Sequence, residues 1–407
     1  MEKKKIITTT KDQTSAIITD TLNQIRSNRL CKDIKNIDID YNNSCCELRS
    51  GLDSIKQVIE SNRGGEKGMH GFIGERAQVH ISNSNALVKG EKPQYTLIDD
   101  NGPTDYLRGN TLIQQKSCRS GGTLGLDHLQ NHAKAYPFYI TLGGVYQIPR
   151  DFYETYYKLL LKPEHIAKKM RNEDYRLWLK IQSFALENPD ITIEPMIVTY
   201  AEIQAGTIEE TLSQVSKAHK QIHKDRTLEA IKLHKANIKE CVRVTICSSV
   251  IEASVDGAIC FIDKIQDGKK ISEFDCIDYK EIVIETAKGA GKGALRGATV
   301  YTLTNTLGVP APVATASFTA AYEITGEIIK YSKGETTRKE FAMNSSWHCL
   351  DVTVSAVSSM IGAKYITKLL PAKYRSYAIL GSLIGNGVGM FVYSFAKSEI
   401  NKHQLSQ

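Results

Sequence analysis

The chain has 407 residues, of which 41% are hydrophobic and 24% charged, with a formal net charge of +7. This length exceeds one ordinary core and predicts two or three domains, and the composition excludes a chain that is mostly disordered. The mild basic excess fits a polyanionic partner without requiring one, and nine scattered cysteines with no CxxC pair leave a thiolate zinc site unsupported and read as reduced thiols.

The chain opens MEKKKIITTTKDQTS. It is basic but lacks the apolar core of a signal peptide, so a cytoplasmic location is expected. Residues 1–52 read as a polar helical segment with a loop near Asp40-Tyr41-Asn42-Asn43. A helix is predicted over 53–62, then a breaker at Arg63-Gly64-Gly65-Glu66-Lys67-Gly68, then a second helix over 71–82. Strand-like runs follow at 95–99, 105–108 and 111–117, then a helix over 123–135 and a strand at Val145-Tyr146-Gln147-Ile148. The predicted order over 53–150 is αβββαβ.

The hairpin at its centre is the most informative stretch. Gly109-Asn110 is a good two-residue turn, because Gly accepts positive φ. With that turn Arg108 faces Thr111, Leu107 faces Leu112, Tyr106 faces Ile113, and Asp105 faces Gln114. Strand periodicity then puts Asp105, Gln114 and Lys116 on one face. Opposed Cβ atoms lie about 5 Å apart, which lets a carboxylate and an amide oxygen reach one cation. The neighbouring Lys116 ammonium can reach a phosphate or an attacking water. Helix 71–82 offers Glu75, which shares a face with Phe72 and Val79 if that side is buried. The opposite assignment buries Ile73, Ala77 and Ile81 and leaves Glu75 exposed.

The segments Gly71-Phe72-Ile73-Gly74-Glu75, Pro103-Thr104-Asp105 and Gln114-Gln115-Lys116 resemble the motifs of the PD-(D/E)XK nuclease superfamily. They are most similar to the branch written D…QxK, in which Gln takes the place of the second acid. The resemblance covers 53–150, under a third of the chain. It implies an α/β restriction-endonuclease-like core that hydrolyses phosphodiester bonds of nucleic acid, with DNA ranked ahead of RNA. It also implies Asp105 as the main metal ligand, Gln114 in the (D/E) place, Lys116 as the catalytic lysine and Glu75 as the helix-borne acid. The Gln115 carbonyl is implied as a further ligand, and Mg²⁺ or Mn²⁺ as the cofactor. Gln114 removes one negative charge, so metal affinity is expected to be weaker than with an acid.

His128 and His132 stand at i and i+4 on the 123–135 helix, a spacing that can bind zinc, but no third ligand is evident. In the family this helix packs beside the hairpin, which makes His132 or Gln130 a candidate to face the site. Residues 151–283 read as mostly helical and charged, with a strand-like interruption at 191–199. The Lys- and His-rich stretch 207–236 fits one or two long helices, whose basic face touches nucleic acid or is simply solvated.

Near Ile284 the composition shifts to Gly, Ala and small hydroxylated residues, which predicts an all-α domain over 284–407. Lys288-Gly289-Ala290-Gly291-Lys292-Gly293 hints at a phosphate loop but lacks the Ser or Thr after GK. Gly289, Gly293 and Gly297 stand four apart, as do Gly381, Gly385 and Gly389, a spacing that lets helices approach closely. The uncharged runs 297–322 and 376–396, the second flanked by Lys373, Arg375 and Lys397, are long enough to span a bilayer. Membrane association at the inner face and a Gly/Ala-packed soluble bundle, with self-association through the Gly stripes, both fit. Two readings remain open. One is a cytoplasmic endonuclease acting as a defence effector or toxin. The other is a membrane-associated or oligomerising effector whose nuclease-like domain only binds nucleic acid.

Overall fold

The computed structural model describes residues 11–100, 102–118, 124–369 and 378–405. The protein is mostly helical with one small mixed sheet. In chain order the elements are α1 (Thr14–Glu60), α2 (Gly65–Leu87), β1 (Tyr95–Leu97), β2 (Tyr106–Arg108), β3 (Thr111–Gln115), α3 (Leu126–Ala135), α4 (Pro137–Thr141) and β4 (Val145–Ile148). They continue with α5 (Arg150–Leu160), α6 (Glu164–Ala167), α7 (Asn172–Glu187), β5 (Ile193–Pro195), α8 (Ile208–Leu233) and α9 (Ile238–Gln266). The last four are α10 (Cys276–Thr306), α11 (Ala311–Ser332), α12 (Arg338–Leu369) and α13 (Ala378–Leu405). The chain divides into two compact units: residues from Cys31 to Leu233, and residues up to Leu30 with those from His234 onward.

In the Cys31–Leu233 unit the strands lie in the order β1-β2-β3-β4-β5. β1, β2 and β3 are antiparallel neighbours, while β3, β4 and β5 run parallel. The parallel pairs need helical crossovers, which α3 and α4 supply between β3 and β4, and α5, α6 and α7 supply between β4 and β5. Helices cover both faces. Val79 of α2 packs on Tyr106 and Ile113. On the other face Leu112 and Tyr146 meet Leu129 and Tyr139. A further core joins α1, α2 and α8 through Leu48, Ile55, Ile73, Ile81 and Leu212.

Several expectations change here. The loop at Asp40-Tyr41-Asn42-Asn43 and the separate helix at 53–62 are both absent, because α1 is continuous over 47 residues. Side chains in and beside that stretch pair with α8 instead: Asp38 meets His223 at 2.8 Å, Asp40 meets Arg226 at 3.0 Å, and Ser44 is buried against His219 at 2.8 Å. Of the breaker expected over Arg63–Gly68 only the start interrupts the helix, with Gly64 and Gly65 at φ of 82° and 63°; α2 already begins at Gly65 and runs to Leu87, longer at both ends than the expected 71–82. The run 191–199 supplies β5, so the sheet extends beyond residue 150. Ile284 lies inside α10 rather than at a boundary.

In the second unit α9 packs on α10, and α12 on α13, through small residues. A Cβ at Gly289 would stand 2.7 Å from the Glu252 carbonyl oxygen, and one at Gly297 2.9 Å from Thr245 Cα. A Cβ at Gly385 would stand 2.8 Å from Gly362 Cα. The sequence stripes therefore mark true backbone approach. The run 297–322 is not one span, because Gly308, with φ of 69°, and Pro310 divide it between α10 and α11. Of the run 376–396, residues from 378 onward belong to α13, and the first two lie outside the described residues.

Candidate functional site

The β2–β3 hairpin has the register that the Gly109-Asn110 turn dictates, with Tyr106 opposite Ile113, Leu107 opposite Leu112 and Arg108 opposite Thr111. Gly109 sits at φ 60°, the left-handed conformation that a two-residue turn of this kind demands. The pairing continues one step past β2, where the Asp105 N–H donates to the Ile113 carbonyl at 2.9 Å. This sets the Asp105 carboxylate over the end of β3. It accepts from the Gln114 Nε2 at 2.5 Å and from the Gln115 backbone N–H at 2.6 Å.

Gln114 is buried and stands in register with Tyr146 of β4, on the face that α3 covers. Gln115 turns to the opposite face. Its Nε2 donates to the Gly71 carbonyl at 3.2 Å and to Ser117 Oγ at 3.1 Å. Gly74 makes room for it, since a Cβ there would meet that nitrogen at 2.5 Å. The Gln115 side-chain oxygen is buried without a hydrogen-bond partner. The backbone carbonyl of Gln115, the part expected at a cation, lies 3.3 Å from Gln114 Nε2.

Glu75 is covered although neither sequence assignment for its helix holds alone. Ile73, Ala77 and Ile81 are buried toward α1, while Val79 is buried on the sheet. Only 14% of the Glu75 side chain remains exposed. Burial raises its carboxyl to about 8, and the nearby Asp105 charge adds to that, against the pull of Arg76, Lys116 and Arg63. Burial likewise raises Asp105, opposed by Lys116 and by the two hydrogen bonds from Gln115 and Gln114. Two carboxyls in one poorly solvated place, each resisting ionisation, lack positive charge.

The surroundings supply some, from residues that sequence reasoning did not place there. Arg76 is buried and donates to Ser54 at 2.9 Å and to Asp99 at 3.0 Å. Arg63 meets the other Asp99 oxygen at 2.7 Å and lies over the Phe72 ring. Asp99 holds both guanidinium groups from a backbone at φ 56°, uncommon for a residue with a side chain. The pair Asp99-Asp100 just ahead of Pro103 was the available signal.

His132 does reach this neighbourhood, whereas Gln130 turns outward to Glu187 at 3.1 Å. The His132 Nδ1 lies 2.8 Å from the Tyr146 hydroxyl. Burial, together with the Lys116 charge, lowers its pKa to about 4, so the ring is neutral at neutral pH. The Nδ1 of His132 is engaged by Tyr146, and among the described residues no group of three or more His, Cys, Asp or Glu is placed to share a metal ion. A cation here would rest on Glu75 and Asp105 together with neutral oxygens. That all-oxygen donor set suits a hard divalent ion.

Comparison with family models, with curated proteins and with solved structures finds no match for this chain.

Proposed function

We propose that the site at the β2–β3 hairpin hydrolyses phosphodiester bonds of nucleic acid with the help of a divalent cation, in the manner of the PD-(D/E)XK superfamily's D…QxK branch. The observation that carries this reading is the pair of largely covered carboxyls, Glu75 and Asp105, both raised in pKa and both in the field of Lys116. Buried acids without enough positive charge are costly unless they bind something. The element order from α2 to β4 and the mixed sheet support the same reading.

Glu75, Asp105, the Gln114 amide oxygen and the Gln115 carbonyl are the groups to hold Mg²⁺ or Mn²⁺. Such an ion supplies charge neutralisation at the phosphate and a more acidic water. The chain's own residues do the rest. Gln114 donates its nitrogen to Asp105 and to the Gln115 carbonyl, which orients the carboxylate; holding a cation through the Gln114 oxygen would require that amide to turn over. Lys116 offers an ammonium to a phosphate oxygen or to the attacking water. The basic chain favours a polyanion.

One observation favours a second reading, in which the domain binds nucleic acid without cutting it: Gln114 stands where an acid would give a third negative ligand. The deciding experiment offers plasmid DNA and a long RNA to the purified protein with Mg²⁺, with Mn²⁺ and with chelator. Metal-dependent cleavage is expected, and Asp105→Ala and Lys116→Ala should each lower it about 10²-fold or more with circular dichroism unchanged. Full activity in Lys116→Ala sinks the catalytic reading. Metal-independent binding with no cleavage establishes the second one.

A further inference from the structure

The unit formed by residues 11–30 and 234–405 has its polarity reversed relative to a helical bundle that lives in water. Large apolar side chains face outward. On α9 they are Ile238, Val242, Ile246 and Val250, one helix face at intervals of four. On α12 they include Val357, Ile361 and Tyr365. On α13 Ile384, Val388, Phe391, Val392 and Phe395 are each 59–62% exposed.

Along the central stretches of these helices the charges turn inward. Across 244–262 of α9 the charged residues are Glu252 and Asp256. Glu252 is fully buried on Arg296, whose other nitrogen meets Asp12 at 2.6 Å, and Asp256 meets Lys11 at 2.5 Å. On α10 beyond Gly289 they are Lys292 and Arg296, and Lys292 reaches Glu323 at 3.0 Å. On α12 between residues 341 and 363 the charged residue is Asp351, paired with Lys397 at 3.3 Å. Polar side chains fill the rest of the interior: Ser15 bonds Ser248, Gln13 bonds Ser355, and Ser355 bonds Asn386.

Water would favour neither half of this arrangement, because it leaves apolar area wet and ion pairs desolvated. Hydrocarbon favours both, since polar groups must then find each other inside and apolar groups face outward. We propose that this unit seats its outward helix faces in the hydrocarbon of a lipid bilayer.

Three further features fit lipid better than a second copy of the chain. Residues 378–396 are uncharged and helical over about 28 Å, close to a hydrocarbon thickness of about 30 Å. The stretch Ile208–Gln266, whose second part is α9, holds an 18-residue window apolar enough to cross a membrane, and only 17% of that window is buried. The α12–α13 pair carries aromatic and basic residues at both ends, as membrane–water interfaces do. At one end Lys397 lies 4.2 Å from the Trp347 ring centre and 5.8 Å from that of Tyr393. At the other stand Tyr365 and Lys368, both exposed.

This proposal is independent of the nuclease reading. The test mixes full-length protein with phosphatidylcholine vesicles, with and without phosphatidylglycerol, and separates them by flotation. The protein should float with both, stay bound through high salt and alkaline carbonate, and be released only by detergent. Lipids brominated on the acyl chains should quench its tryptophan fluorescence, and Trp347→Phe should remove most of that quenching. Ile384→Arg with Val388→Arg, both outward positions, should lower the floated fraction at least about tenfold with helicity unchanged. Wild-type flotation and quenching decide the matter whatever the variant does. A detergent-free species of defined size that does not float overturns the proposal and assigns the apolar faces to other copies of the chain. Flotation that high salt reverses overturns it too, since surface attraction would then be the whole interaction.

Discussion

Glu75 is the residue whose protonation most directly reports the state of the site. Its carboxyl stands at about 8 in the folded protein against an ordinary value near 4.5. A raised acid stabilises the fold fully below the unfolded value, and that contribution is lost as pH rises through the folded one. Without divalent ions, stability should therefore fall between about pH 5 and pH 8, by an amount on the order of 2–4 kcal/mol. Thermal unfolding across that range checks it. Glu75→Gln should flatten the slope, because the amide is neutral throughout. Saturating Mn²⁺ should also flatten it in the native protein, because a bound cation holds the carboxyl ionised. A slope unchanged by both would mean that Glu75 is an ordinary exposed acid.

At the scale of elements, α2 is the part that brings the carboxyl pair together, and Gly74 sets its distance from β3. A side chain there would meet Gln115 at 2.5 Å and Ile203 and Met196 at 3.3 Å. Gly74→Val should displace the Gln115 amide and push the helix from the sheet, costing about 1–3 kcal/mol. Activity should drop further than stability, because Glu75 rides on the same turn; denaturant titration beside a cleavage assay measures both. The hairpin was fully legible in the sequence, since Gly109-Asn110 and alternation fix a register with no freedom left. The orientation of α2 was not. Its apolar residues cover most of its circumference because it lies between α1 and the sheet, so periodicity offered two faces and the fold uses both. The continuity of α1 was hidden for a related reason: Asp40-Tyr41-Asn42-Asn43 looks like a loop until the partners of Asp40 and its neighbours on α8 are known.

For the whole molecule, composition indicated a basic, mostly helical chain with an unusual C-terminal half, but it misplaced the divisions. The shift near Ile284 marks where small residues begin, not where packing ends, because α10 runs through it to close on α9. The packing-based division makes a different expectation: a fragment of residues 31–233 should fold and keep the metal-dependent cleavage of the full chain within about threefold, since every proposed ligand lies inside it. Circular dichroism and the plasmid assay check it. A folded fragment without activity would place part of the active form in the other unit.

The hairpin also bears on the order in which the site comes into being. Asp105 and Gln114 are nine residues apart, and the turn between them closes on a timescale of about 1–10 μs. Glu75 lies thirty positions upstream on a helix that depends on tertiary packing for its stability. The carboxylate–amide pair is thus an early, locally encoded contact, and the second carboxyl is a late arrival. Destabilising α2 should slow completion of the charge cluster while the β-ribbon still nucleates at its normal rate.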